Sequence, residues 1–118
     1  NNDAAASLAT LLQLDGHETE IAHDGIEAIE QCKIFEPQAI ILDIGMPRMD
    51  GYECARRLRK IAEGENVVII ALTGYGQSLD KARSRAAGFD HHLVKPVEPS
   101  VVSQLIAQRL EKSAVRTQ

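Results

Sequence analysis

The chain has 118 residues, of which 44% are hydrophobic and 25% are charged, a composition that suits one globular domain with one core. Its formal net charge of -4 argues against nucleic acid as a direct partner, because binding to phosphates requires a basic surface. The longest strongly apolar run, 67–72, is far too short to span a membrane.

The first part of the chain predicts two helices and two strands. Apolar residues at helical spacing predict a helix over 4–14, and a weak strand follows at 19–22. Asp24 and Glu27 have the spacing of a capping box and predict the start of a second helix. The continuously apolar run 39–42 is typical of a strand that is covered on both faces.

The rest of the chain continues the alternation of helices and strands. The predicted elements are a helix over 51–62, a fully apolar strand over 67–72, a helix over 79–87, a strand over 92–94 and a helix that begins at Pro99. Residues 114–118 are expected to form a frayed tail. Cys32 and Cys54 fall in predicted helices, so we expect reduced thiols, and these favour a cytoplasmic location.

The order of these elements predicts one α/β domain that covers residues 1–118. Strands that alternate with helices form parallel units with right-handed crossovers, and hence a doubly wound parallel sheet. The chain begins with a helix, however, so the strand that should precede this helix is absent from the sequence. We therefore expect the domain to be incomplete at its amino terminus.

Three polar residues stand at the ends of predicted strands, where sites form in open α/β sheets. Asp43, Thr73 and Lys95 would share one edge of a parallel sheet, and a neighbouring ammonium keeps a carboxylate ionised. An ionised aspartate is a nucleophile toward phosphorus, while Lys95 and Thr73 could hold phosphoryl oxygens. Such chemistry normally uses Mg²⁺. The alternative is a purely structural ion pair with a threonine hydrogen bond.

Four motifs accompany these residues in order along the whole chain. They are Asp43 with Met46, Pro47, Met49, Asp50 and Gly51; Ala71 to Thr73; Ala87, Gly88 and Phe89; and Lys95 with Pro96. Together they resemble the receiver domain of two-component response regulators. The segments 72–77 and 88–97 look most like receivers of hybrid sensor histidine kinases.

The resemblance implies a flavodoxin-like sheet of five parallel strands in the order 2-1-3-4-5, here without its first strand. Asp43 would be the phospho-acceptor for a phosphohistidine on a histidine kinase or phosphotransfer domain, Lys95 would clamp the phosphoryl group, and Thr73 would turn inward. Mg²⁺ would be held by Asp43, the backbone carbonyl of Gly45 and an acidic pair expected just upstream of Asn1.

Further implications concern the switch and the surface. His92 occupies the aromatic switch position, and the bond before Pro96 would be cis, which X–Pro bonds adopt at low cost. Activation would alter the face formed by the fourth helix, the last strand and the last helix, through which a homodimer could form. The domain would assist its own phosphotransfer and dephosphorylation without being a conventional enzyme.

Other interpretations remain open. The missing acidic pair is also compatible with a pseudo-receiver that acts as an interaction module independent of phosphorylation. A flavodoxin-like small-molecule binder or phosphatase is disfavoured by the scarcity of aromatic residues. His91 and His92 could suggest a metal site, but adjacent residues of a strand face opposite sides.

Overall fold

A computed structural model describes residues 2–22, 24–35, 37–44, 51–61, 67–74 and 81–117 of the chain. Over these ranges the chain forms five helices and three strands. In chain order they are α1 (Asn2–Leu14), α2 (Gly25–Phe35), β1 (Ala39–Asp43), α3 (Gly51–Ile61), β2 (Val68–Thr73), α4 (Lys81–Ala87), β3 (His91–Val94) and α5 (Pro99–Thr117). The described helices include none that is both long and apolar enough to cross a membrane.

The strands form a parallel sheet in the order β1-β2-β3. Ala39 lies opposite Val68 in the first ladder, and Thr73 lies opposite Val94 in the second. These strands correspond to the last three of the order 2-1-3-4-5. The predicted α/β fold with a parallel sheet is therefore confirmed.

Helices cover both faces of the sheet because β1 alternates its side chains between two apolar clusters. Ile40 and Leu42 join the larger cluster, together with residues of α2, α3 and α4. Ala39 and Ile41 join the smaller cluster, together with residues of α1 and α5. The central strand β2 is buried on both sides, as the apolar run predicted.

Helix ends follow local signals in the sequence. The backbone N–H of Glu27 donates to the side chain of Asp24 at 2.9 Å, which is one half of the predicted capping box at the start of α2. At the end of α4, Gly88 has a φ of 104°, a conformation that glycine adopts without steric cost. The N–H groups of Gly88 and Phe89 bond back to Arg85 and Ser84, and this Schellman motif turns the chain into β3.

One prediction of secondary structure is wrong. Residues 19–22 do not form a strand, because no ladder hydrogen bonds join this segment to β1, β2 or β3, the strands of the described sheet. Helix α5 extends to Thr117, and fraying of residues 114–118 stays a prediction. No glycine or proline lies between Pro99 and Gln118 to end the helix.

Candidate functional site

The parallel sheet brings the ends of its three described strands to one edge. Backbone pairing continues past the last residues of β1 and β3, since Ile44 N donates to Leu72 O at 3.0 Å and Lys95 N donates to Thr73 O at 2.8 Å. The main chain around Asp43, Thr73 and Lys95 is therefore aligned by hydrogen bonds. The predicted site residues share the carboxyl edge of the sheet.

Asp43 and Lys95 are in direct contact at this edge. The ammonium of Lys95 donates a hydrogen bond to Oδ2 of Asp43. Their side chains are 31% and 36% exposed respectively, so the pair is half-buried but open to a ligand from solvent. An ammonium in contact with a carboxylate favours the ionised form of that carboxylate.

Thr73 lies at the end of β2, between the strands that carry Asp43 and Lys95. Its side chain is buried, and its hydroxyl donates to the carbonyl of Leu93 at 3.5 Å. This distance is long for a hydroxyl donor, whose hydrogen bonds usually measure 2.5–3.0 Å. The hydroxyl is therefore held by a weak hydrogen bond, whose loss to another acceptor would cost little free energy.

Gly51, the first residue of α3, packs against the main chain that follows Asp43. Its N–H donates to Ile44 O at 3.3 Å. A Cβ at Gly51 would lie 2.8 Å from the Cα of Ile44 and 3.4 Å from the carbonyl oxygen of Asp43. Only glycine permits this approach of backbone to backbone, so α3 begins in contact with the segment that carries the carboxylate.

The remaining predicted residues are placed as follows. His92 lies on β3 opposite Ala71 and is exposed, as is its neighbour His91. The Lys95–Pro96 peptide bond is cis. Gly45 lies outside the described residues. The part of the chain that the structure describes contains no group of three or more metal-ligating side chains.

The donor group at this site, the carboxylate of Asp43, is of the kind that binds Mg²⁺. Mg²⁺ prefers oxygen ligands and is commonly held by one or two carboxylates together with waters and phosphate oxygens. Asp43 provides a half-exposed carboxylate of this kind at the sheet edge. The other expected ligands are Gly45 and residues upstream of Asn1.

Sequence reasoning missed a contact at the opposite edge of the sheet. Arg59 is a basic residue of α3, where such side chains usually extend into solvent, but its guanidinium donates to Val67 O at 2.8 Å, Gly88 O at 2.5 Å and Asp90 Oδ2 at 3.0 Å. The carboxylate of Asp90 also accepts from Ile69 N at 2.8 Å. Arg59 follows the inward-facing Tyr52 by two helical turns, and this spacing was the available signal.

A second missed contact involves α4. The guanidinium carbon of Arg83 lies 4.1 Å from the centroid of the Tyr52 ring, which is a cation–π geometry. The same ring meets Phe89 edge-on, at 6.2 Å between centroids and an interplanar angle of 83°. Tyr52 directly follows Gly51, so this aromatic group adjoins the start of α3.

Comparisons with known proteins agree with the geometry. A family model for the response regulator receiver domain matches residues 1–107. Response regulator MprA of Mycobacterium ulcerans (strain Agy99) is 39% identical over 90 residues, which cover 76% of this chain and 38% of that regulator. The chain thus spans less than half the length of this curated relative.

Solved structures of receiver domains have the same fold. The CheY-like receiver domain protein from Methanospirillum hungatei JF-1 has a TM-score of 0.87 at 25% identity, over 98% of this chain and 91% of that one. The receiver domain of sensor histidine kinase PA1611 from Pseudomonas aeruginosa PAO1 has a TM-score of 0.80 at 26% identity, over 94% and 91%. In that structure a magnesium ion is coordinated in the active-site cleft. Relatives thus include both response regulators and a kinase receiver, and the closer likeness to hybrid kinases stays a prediction.

Proposed function

Because this chain belongs to the family of response regulator receiver domains, we propose that Asp43 accepts a phosphoryl group in a two-component phosphorelay. The donor is the phosphohistidine of a histidine kinase or phosphotransfer domain, the partners with which receiver domains interact. The observation that supports this proposal most strongly is the contact between the Lys95 ammonium and the Asp43 carboxylate.

The transfer is a displacement at phosphorus. A carboxylate oxygen of Asp43 forms a bond to phosphorus, the bond from phosphorus to the histidine nitrogen breaks, and its electron pair returns to the imidazole. The product is an acyl phosphate on Asp43. The half-exposed position of this carboxylate supports the proposal, since a donor has access from solvent.

Lys95 and Thr73 hold the transferred group. Lys95 already contacts Oδ2 of Asp43, and a short movement brings its ammonium to a phosphoryl oxygen as a compact point charge. The Thr73 hydroxyl leaves the carbonyl of Leu93, to which it is bonded at 3.5 Å, and donates to a second phosphoryl oxygen. Both residues then make a contact that exists only when Asp43 is phosphorylated.

Mg²⁺ is part of this proposal, as receiver domains generally bind it in the active site. Asp43, the carbonyl of Gly45 and an acidic pair encoded upstream of Asn1 would hold the ion. When bound, Mg²⁺ neutralises charge on the transferring phosphoryl group. The chain's own part is to supply the nucleophile at the sheet edge, beside Lys95.

Phosphorylation acts as a population shift. The state in which Thr73 contacts the phosphoryl group becomes favoured, and this changes the surface of α4, β3 and α5. Exposed apolar side chains support a binding role for these elements, including Val94 at 53% and Val101 at 37% exposure. The partner is an output protein or a second copy, and His92 on β3 takes part in the switch.

The location proposed for the domain is cytoplasmic. Cys32 and Cys54 are buried in the larger cluster, and we expect them as reduced thiols, which a reducing compartment maintains.

The test is phosphorylation of the protein with its native residues upstream of Asn1. The protein is incubated with Mg²⁺ and acetyl phosphate, and its intact mass is measured. We expect a base-labile adduct of one phosphoryl group on the wild-type protein and none on Asp43→Asn. An adduct that persists in Asp43→Asn, or no adduct on the wild type, would refute the proposal.

A further inference from the structure

Tyr52 connects the start of α3 to the site. The ring is buried, with 7% of the residue exposed, and it directly follows Gly51. The N–H of Gly51 is bonded to Ile44 O, and a Cβ at Gly51 would lie 2.8 Å from the Cα of Ile44. Because Gly51 packs closely on the backbone of Ile44 and is hydrogen-bonded to it, we expect a displacement of the Tyr52 backbone to change the position of Ile44, the neighbour of Asp43.

Groups from α4 and the turn after it hold the ring of Tyr52. Arg83 on α4 lies over the ring, 4.1 Å from its centroid. Phe89 meets the ring edge-on, and its backbone N–H is bonded to Ser84 O of α4 at 3.2 Å. The position of the first turn of α3 therefore depends on where α4 and its carboxyl-terminal turn lie.

The opposite end of α3 is tied to the same turn. Arg59 donates to Gly88 O and to the carboxylate of Asp90, close to the amino ends of β2 and β3. Helix α3 is thus joined to α4 and the following turn at both of its ends. Of these contacts, those of Arg83 and Phe89 with Tyr52 lie at the end of α3 that adjoins Ile44, and Arg83 is the partner that belongs to α4 itself.

We infer that Arg83 is a positioning residue for the aspartate site, acting through Tyr52 and Gly51 on the segment that follows Asp43. Arg83 itself does not touch the reacting atoms. It holds the ring, and thereby the first turn of α3, in the place that keeps Ile44 and Asp43 aligned with Lys95. The part of the inference that concerns phosphorylation rate rests on the proposed function.

The experiment uses the full-length protein and compares four single variants and one double variant, Tyr52→Leu with Arg83→Ala. Arg83→Ala removes the cation, Arg83→Lys keeps a cation near the ring, and Tyr52→Leu removes the aromatic face. Arg85→Ala is the matched control, since Arg85 is an exposed arginine on the same helix. Two quantities are measured: the rate of phosphorylation by acetyl phosphate with Mg²⁺, and the NMR signal of the Ile44 δ1 methyl group. Thermal melting identifies any variant that does not fold.

We expect Arg83→Ala to lower the phosphorylation rate about two- to fivefold, which corresponds to loss of an exposed cation–π contact. The Ile44 methyl signal should shift in Arg83→Ala, less in Arg83→Lys, and not in Arg85→Ala. Tyr52→Leu combined with Arg83→Ala should be no slower than the slower single variant, because both changes remove the same contact.

A lower melting temperature of Arg83→Ala, with rate and methyl signal equal to those of Arg85→Ala, would overturn the inference, because the stack would then be stabilising only. If the wild-type protein accepts no phosphoryl group, the proposed function is refuted. The Ile44 methyl signal then still tests whether Arg83 positions the segment that follows Asp43. A shift in Arg83→Ala but not in Arg85→Ala supports it, and no shift in either refutes it.

Discussion

The ammonium of Lys95 reaches across the end of β2 to the carboxylate of Asp43, a residue 52 positions earlier in the chain. Asp43 ends β1 and Lys95 directly follows β3, and these two strands flank β2 on either side. Between them, β2 ends at Thr73 and is followed by Gly74, so the side chains at this strand end are short. Parallel order and short side chains at one strand end therefore produce the site.

This arrangement predicts that Lys95 contributes to phosphorylation far more than to stability. The ion pair is about one-third exposed at both partners, and such pairs stabilise folded proteins by at most about 1 kcal/mol. Replacement of a preorganised donor to the transferring group slows reactions by about 10²-fold. We expect Lys95→Met to unfold near the wild-type temperature and to be phosphorylated about a hundredfold more slowly. Lys33→Met, at an exposed lysine of α2, is the control, and a Lys95→Met rate equal to that of this control would contradict the account.

Thr73 is predicted to control the response to phosphorylation. The loss of its long hydrogen bond to Leu93 O should reduce the free energy of unfolding by no more than about 1 kcal/mol in Thr73→Val. Phosphorylation of this variant should persist, but it should change partner affinity less than twofold, against about fivefold or more in the wild type. Thr73→Ser retains the hydroxyl and should respond like the wild type. The change in partner affinity on phosphorylation is measured by titration of the partner. A change in Thr73→Val equal to that of the wild type would show that the hydroxyl does not couple phosphorylation to partner binding.

Gly51→Ala tests the close approach of α3 to the site. Helix propensity alone favours alanine over glycine by about 1 kcal/mol, whereas the added Cβ would lie 2.8 Å from the backbone of Ile44. Because backbone must move, we expect a net destabilisation of about 1–3 kcal/mol and slower phosphorylation.

The control for this prediction is Gly16→Ala. Gly16 has a φ of 93°, and a Cβ added there would meet no heavy atom within 4 Å. Gly16→Ala should therefore lower the free energy of unfolding only through backbone strain, by about 1–2 kcal/mol, at a position far from Asp43. Chemical denaturation and the phosphorylation rate are measured on both variants. Equal phosphorylation rates for Gly51→Ala and Gly16→Ala would show that the close approach of Gly51 to Ile44 does not affect the site.

The pH dependence of stability includes a contribution from Glu53. Hydrogen bonds from Arg56, and then from Arg57, hold the pKa of Glu53 below its ordinary value. Because this pKa is lower in the folded state, the contribution to stability is present above the unfolded pKa of about 4.3. It is lost as the pH falls through the folded pKa. NMR titration should show a higher Glu53 pKa in Arg56→Gln than in wild type, and a smaller rise in Arg57→Gln; the reverse order would mean that Arg57 is the main partner.

Several features of the fold could be predicted because they depend on short segments. The apolar runs that form β1 and β2 indicate buried strands, and Asp43 and Thr73 are the last residues of those strands. The parallel order then follows from the alternation of helices and strands. Because parallel strands end at the same edge of a sheet, that order is enough to predict that Asp43 and Lys95 lie at one edge.

Features that depend on distant partners could not be predicted. Residues 19–22 were predicted as a strand but have no ladder partner among the described residues. Arg59 and Arg83 are basic residues on helices, where such side chains usually extend into solvent, yet their long apolar stems let the charged groups reach the Gly88 carbonyl and the Tyr52 ring. The direction of the Thr73 hydroxyl depends on the position of Leu93 on another strand.

The central claim is that the Asp43 carboxylate forms the acyl phosphate, and chemical trapping tests it most directly. The phosphorylated protein is treated with borohydride, which reduces an aspartyl phosphate to homoserine, and its peptides are sequenced by mass spectrometry. We expect homoserine at position 43 and at no other aspartate. Unmodified Asp43 in a protein that carries the phosphoryl group, or homoserine at a different position, would contradict it.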